Sequence, residues 1–267
     1  MRTLKLVVQY DGTAYLGWQY QTQGATVQST LEDAIAKVLG PHRTLVAGRT
    51  DSGVHALAQV AALRTGKAFP ASELHRALNG ILPPDINILS CEVVPNEFDP
   101  RRDALRKLYR YRFFDRVVRP VFERNQTWHV WNVDWERMEL GIPHLVGTHD
   151  FLSFQGSGAN PKPGAVGKNG RPKTAIKTVR TIYRLELVRP AAFPNEVWLE
   201  VEGNGFLKQM VRNIAGSLLQ VGRGFREPEW IASILAAKDR NVAGPTAPAS
   251  GLTLVRVEYP PPATPSE

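Results

Sequence analysis

The chain has 267 residues, 43% of them hydrophobic and 22% charged, which is enough to bury a core in one large domain or two ordinary ones and excludes global disorder. No apolar run approaches the roughly 18 residues of a membrane span, the N-terminus lacks the apolar stretch of a signal peptide, and the single cysteine, Cys91, excludes an internal disulfide or a cysteine-based zinc site. Thirty-three basic residues against twenty-five acidic ones give a net charge of +8, so the expectation is a soluble, cytoplasmic protein with a polyanionic partner and no membrane.

Leu4 to Gln9 reads as a strand, ended by the turn residues Asp11-Gly12. Val27, Leu31, Ala34, Ile35 and Val38 recur at helical spacing, predicting a helix over Val27 to Leu39 that Gly40-Pro41 stops. Val54 to Leu63 follows as a strand, Ser72 to Leu82 as a helix opened by a Ser72 cap with Glu73 behind it, and Ile86 to Val94 as a further strand. The second half begins with the aromatic, β-rich runs Tyr109 to Phe114 and Thr127 to Val133, then a helix over Trp135 to Val146. Strands over Lys177 to Val188 and Glu196 to Glu202 precede helical segments over Gln209 to Val221 and Glu229 to Lys238. Leu252 to Tyr259 closes as a strand, with a fraying Pro-rich tail from Pro260.

Strands here are not each followed by a crossover helix, so the pattern is α+β with largely antiparallel sheets rather than a wound parallel sheet. Two halves of similar content, 1–105 and 106–267, joined near Pro95 to Arg106, imply an internally duplicated fold with a cleft between them. The segment Gly156 to Pro172, rich in Gly, Pro and Lys, is too poor in apolar residues to pack and is expected to be a mobile loop.

The basic surplus is concentrated. Nine basic residues stand against three acids between Arg101 and Arg124, and Lys162, Lys168, Arg171 and Lys173 stand between Gln155 and Lys173 with no acid. Such clustering is the electrostatic footprint of nucleic acid or another polyphosphate.

Chemistry is densest in Gly48-Arg49-Thr50-Asp51-Ser52-Gly53-Val54-His55-Ala56. Glycines bracket a polar stretch that holds one carboxylate, Asp51, beside one arginine, Arg49. A nearby arginine keeps a carboxylate ionised, and an ionised carboxylate is a nucleophile or base; a tight turn with a surface aspartate is the bland alternative. No Gly-Lys-Ser/Thr follows, so this is not a Walker loop. The six histidines show no ligand spacing, which argues against a zinc site. His55 reads as a structural hydrogen-bonder, and the six tryptophans as core or hinge packing. Arg212, on an otherwise apolar helix, demands a carboxylate partner if buried.

Gly48 to Ala56 resembles the GRTDxGVHA motif of the TruA family of tRNA pseudouridine synthases. Tyr10-Asp11-Gly12-Thr13 with Gly17-Trp18-Gln19, Leu108-Tyr109-Arg110-Tyr111, His149-Asp150-Phe151 with Ser153-Phe154, Met210-Val211-Arg212-Asn213-Ile214 with Gly216, Ala236-Ala237-Lys238-Asp239-Arg240 and Gly251-Leu252 match the family in order over nearly the whole chain. The resemblance implies the pseudouridine synthase fold, with two similar α+β halves flanking a central RNA-binding cleft. It places the nucleophile on Asp51, with Arg49 two residues before it, the uracil-stacking tyrosine on Tyr109, and the arginine that pairs with the nucleophile on Arg212.

The implied reaction cleaves C1′–N1 of a tRNA uridine, rotates the base and joins C1′ to C5, at positions 38, 39 and 40 of the anticodon arm, by a homodimer. It needs no metal or cofactor, because substrate and product are isomers. Whether Asp51 attacks C1′, adds to C6 or assists a glycal intermediate stays open. Tyr109 would offset the cost of base flipping by stacking, Arg110 and its basic neighbours would contact phosphates, and Tyr111 reads as the structural aromatic. Lys162, Lys168, Arg171 and Lys173 are RNA-binding candidates on charge alone. A non-catalytic RNA-binding or RNA-chaperone protein and a synthase acting on another RNA are the competing readings.

Overall fold

The computed structural model describes residues 1–158 and 176–261. In chain order these form β1 (Arg2–Tyr10), α1 (Val27–Leu39), β2 (Thr44–Val46), β3 (His55–Thr65), α2 (Ala71–Ile81), β4 (Ile86–Val94), β5 (Arg106–Asp115), β6 (Trp128–Val130), α3 (Trp135–Leu140), β7 (Gly147–Asp150), β8 (Val179–Val188), β9 (Glu196–Gly203), α4 (Met210–Gly222), α5 (Trp230–Ala237) and β10 (Leu252–Glu258). The α+β reading holds. The cations Lys162, Lys168, Arg171 and Lys173, most of the Gly156 to Pro172 stretch and most of the Pro-rich tail lie outside the described residues.

The chain forms two compact units. One comprises Met1–Arg112, Pro120–Trp128 and the chain from Ala249; the other comprises Phe113–Arg119 and His129–Pro248. A division at residue 105 does not coincide with them, because the last strand returns to the first unit and the chain crosses the boundary inside β5.

In the first unit the strand order is β4-β1-β3-β10-β5, with β2 on β3. Neighbours run antiparallel except β10 on β3, a parallel pairing of Thr253 with His55 and Leu254 with Ala56. On β1 the buried positions Leu4, Leu6, Val8 and Tyr10 follow the two-residue period of a strand with one face in the core. The boundaries of α1 match those read from its spacing. Thr26 Oγ1 accepts from Ser29 N while Ser29 Oγ accepts from Thr26 N, closing a capping box, and Gly40 ends the helix at φ 81°. On α2 the expected Ser72 cap is not made. The helix begins at Ala71 behind Pro70, which makes no side-chain cap and whose ring holds φ at −55°, and Ser72 lies inside the first turn.

In the second unit β7, β8 and β9 form an antiparallel sheet. The helix expected over Trp135 to Val146 is shorter. Asp134 caps α3 by accepting from Arg137 N at 2.8 Å, α3 ends at Leu140, and Ile142–Leu145 continues as a 3-10 turn containing Pro143. Pro143 has no N–H to continue an α-helical ladder.

The central helix of this unit is α4, buried over most of its length. The segment 244–247 lies backbone-on-helix against it. Gly244 N donates to Ser217 Oγ at 2.9 Å, Thr246 Oγ1 donates to Asn213 Oδ1 at 2.6 Å, and Ala247 N donates to Arg212 O at 3.2 Å. A methyl group on Gly216 would lie 1.8 Å from Pro245 O, so only glycine permits the approach.

Gly216→Ala should therefore lower stability by about 1–3 kcal/mol or more, although alanine in an unobstructed helix interior stabilises by up to about 1 kcal/mol. Thermal and urea denaturation measure the sign. A variant as stable as the parent would show that 244–247 does not press on α4 as described.

Candidate active site

The stretch 47–54 joins β2 to β3 without regular structure, so its backbone groups must be satisfied one at a time. Ala47 N donates to Val60 O at 2.9 Å, and Ala47 O accepts from Lys107 Nζ at 2.7 Å. Gly48 O accepts from Gln59 Nε2 at 2.7 Å. Thr50 O accepts from Trp18 N at 3.1 Å, and the Thr50 hydroxyl lies 2.8 Å from Tyr10 Oη. Asp51 O accepts from Val54 N at 3.2 Å, while Ser52 Oγ and Gly53 N both donate to Tyr15 O, at 3.2 and 3.3 Å. The half-buried Asp51 thus sits on a backbone held on both sides.

Two glycines outside the stretch make this possible. A methyl group on Gly12 would lie 2.0 Å from Val54 O, and one on Gly17, at φ +87°, would lie 2.6 Å from Thr50 O. His55 is buried and serves as the structural hydrogen-bonder expected of it, its Nδ1 lying 3.1 Å from both Gly12 N and Asp11 Oδ1. Two hydrogen bonds from Thr13 and the nearby His55 outweigh partial burial and hold the Asp11 carboxyl below the usual range.

Tyr109 reaches the same place from β5. Lys107, Tyr109 and Tyr111 share one face by alternation, and Arg110 lies on the other. A methyl group on Gly48 would lie 3.5 Å from Lys107 Nζ and 3.8 Å from Tyr109 Oη, so both side chains meet the segment just before Asp51. Tyr109 is buried, and burial first, then Tyr10, then the negative charge of Asp51 push its phenol well above the ordinary value. It stays neutral across the physiological range. Tyr111 is fully buried, edge-on to Trp128 at a centroid distance of 6.0 Å and closely backed by Gly251, as a structural aromatic should be.

The Arg49 side chain is exposed and, among the described residues, makes no ion pair. Arg212 lies in the first turn of α4 in the second unit, half-buried, with Nε donating to Ala247 O at 2.7 Å. Trp131 is 51% exposed, with Arg223 5.8 Å from its ring centre, and so corrects the expectation that every tryptophan packs in a core or hinge. Reasoning from the sequence missed Gln59 and the role of Lys107. The signal for Lys107 was its period-two relation to Tyr109; Gln59 had none. Among the described residues no cluster of three His, Cys, Asp or Glu side chains is placed to hold a metal ion, and no helix is long and apolar enough to cross a membrane.

A family model described as tRNA pseudouridine synthase matches residues 6–101 and 142–260. The chain belongs to the tRNA pseudouridine synthase family. It is 42% identical over 261 residues to tRNA pseudouridine synthase A of Geotalea daltonii, an alignment covering 97% of this chain and all of that one. The same figures hold for the protein of that name from a Thermoanaerobacter species. The one from Myxococcus xanthus is 40% identical over 270 residues, covering 99% and 96% of the two chains. As a tRNA pseudouridine synthase the chain is an isomerase of uridine in tRNA, and its matched span includes the braced stretch around Asp51.

The bracing has a pH signature. Burial pushes the Tyr10 phenol up to about 12, against hydrogen bonds from Thr50 and Gln59 that lower it. A pKa raised on folding favours the neutral form, so its contribution is complete below the unfolded value of about 10 and is lost as pH rises from there through about 12. The stability difference between the parent and Tyr10→Phe, followed by thermal denaturation, should therefore shrink above about pH 10. A difference that stays constant would show that this phenol ionises as freely in the folded chain as in the unfolded one.

Proposed function

We propose that this chain isomerises uridines at positions 38, 39 and 40 of the tRNA anticodon arm, with Asp51 as the nucleophile. The observation that carries the reading is a carboxylate on a backbone pinned residue by residue, beside a neutral buried tyrosine. Rejoining a base through a different atom requires the nucleophile to keep its place while the base leaves, turns and returns. A carboxylate on a fixed backbone meets that need, whether it attacks C1′, adds to uracil C6 or assists a glycal. Tyr109, unionised, presents a π-face to the flipped uracil and retains a hydroxyl proton. Arg212, carried over from the family motif, is the cation proposed to pair with Asp51, and Arg49 is left to contact RNA from its exposed position.

The tRNA arm is held, in this reading, by Arg110 and the cations around it and by Lys162, Lys168, Arg171 and Lys173. Two copies of the chain grip one tRNA, extending the basic surface beyond what a single copy offers. Compartment follows substrate, and the proposed site of action is the cytoplasm.

Asp51→Asn removes the charge at almost constant volume. Incubated with unmodified tRNA, it should form pseudouridine at least about a thousandfold more slowly, with tRNA affinity nearly intact. A variant that turns over at the parent rate would overturn the assignment of the nucleophile. Mapping the product on the tRNA tests the positions in the same experiment, and pseudouridine elsewhere would sink the anticodon-arm reading.

Replacing Lys162, Lys168, Arg171 and Lys173 together with Gln should weaken tRNA binding and flatten its salt dependence by about 0.7 to 0.9 in slope per lost phosphate contact. Turnover at saturating tRNA should persist. A slope equal to the parent's would remove these four cations from the interface.

A further inference from the structure

We propose that Tyr10 is a positioning residue for the isomerisation, its hydroxyl fixing Thr50 and through it the backbone that presents Asp51. The proposal rests on the reading of Asp51 as the nucleophile. It begins with a side chain whose hydroxyl packing does not require. Tyr10 ends β1, is 3% exposed and lies against Trp18 at a centroid distance of 6.0 Å. A phenylalanine would fill the same space, and burying a hydroxyl costs free energy unless it is hydrogen-bonded.

Its bonds lead to the catalytic stretch. Val60 N–H can only donate, and it donates to Gln59 Oε1 at 3.1 Å; Gly48 O can only accept, and it accepts from Gln59 Nε2 at 2.7 Å. Together these two contacts fix which way the fully buried amide of Gln59 points. Its Nε2 also donates to Tyr10 Oη, at 3.5 Å. Tyr10 Oη is also bonded to Thr50 Oγ1 at 2.8 Å, a contact in which either hydroxyl can donate. Thr50 is buried and precedes Asp51, and its carbonyl is already held by Trp18 N at 3.1 Å. Side chain and carbonyl are thus fixed by separate partners, leaving the peptide into Asp51 little freedom to turn.

The same phenol is close enough to Tyr109 to raise its pKa, second only to burial and ahead of Asp51. Tyr10 therefore stands next to both halves of the proposed chemistry, the nucleophile's backbone and the stacking ring. It acts through Thr50.

The test compares Tyr10→Phe, Thr50→Val, the double variant, Thr50→Ser and Asp51→Asn with the parent, each checked for its melting temperature. Pseudouridine formation is followed in a single turnover with enzyme in excess over tRNA, and tRNA affinity is measured separately. Tyr10→Phe and Thr50→Val should each slow the single-turnover step by about tenfold or more, since small displacements of a reacting group carry penalties of that order. Affinity should stay within about twofold, and the double variant should be no slower than the slower single one, because both remove the same bond. Thr50→Ser, which keeps the hydroxyl, should restore the rate to within about twofold of the parent. A parent-like rate in Tyr10→Phe, losses that multiply in the double variant, or a loss confined to affinity would each overturn the proposal. An active Asp51→Asn would instead bring down the nucleophile reading. An inactive Asp51→Asn beside a fully active Tyr10→Phe would bring down only the positioning role.

Discussion

A carboxylate carried on an irregular stretch of chain faces a constraint that a helix or strand would not impose. Each buried peptide group must find its own partner or bear a desolvation penalty of about 1–3 kcal/mol. In this chain the requirement organises the surroundings of Asp51. Strand β1 supplies Tyr10, the turn after it supplies Tyr15 and Trp18, β3 supplies Gln59 and β5 supplies Lys107. Gly12 and Gly17 are needed because backbone here meets backbone. An individual bond of this kind contributes about 1 kcal/mol net, so their value lies less in summed stability than in the conformations they forbid.

The basic segment shows how far a charge count carries. Read as a sequence, Arg101 to Arg124 is a block of positive charge. In the fold its members have separate occupations. Lys107 turns inward to the Ala47 carbonyl, Arg102 pairs with Asp103, and Arg124 donates to Val121 O. Arg116 and Arg119 remain exposed. Net charge reports a partner class correctly while saying little about which cation meets it, since a cation beside a buried carbonyl is satisfied by the protein itself.

Where periodicity and turn chemistry agreed, the fold was legible before any coordinates. The bounds of α1 and β4 match the spacing that predicted them. Boundaries failed where a local rule was overridden. Ser72 looked like a cap, but the helix started behind Pro70; Trp135 to Val146 looked continuous, but Pro143 forced a 3-10 turn. The three-residue strand β2 is too short to carry a period. In the candidate site, Asp51 stood out in a glycine-bracketed polar stretch, whereas Tyr109 read alone is an ordinary strand aromatic whose role is what the family resemblance implies. Gln59 did not stand out, since a polar residue inside an apolar strand looks like noise until its amide is seen to face Gly48 O.

The position of β10 carries a consequence for biosynthesis. Leu254 lies in register with Ala56 on one side and Tyr109 on the other, so the strand that follows Asp51 and the strand that bears Tyr109 both pair with the final strand of the chain. A ribosome has to release everything from Ala56 to Leu254 before the first of these two strands has that neighbour. Until then a nascent chain lacks the strand that both pair with. Such long-range pairing slows folding, and here it ties completion of the sheet that carries Tyr109 and follows Asp51 to a strand made long after both.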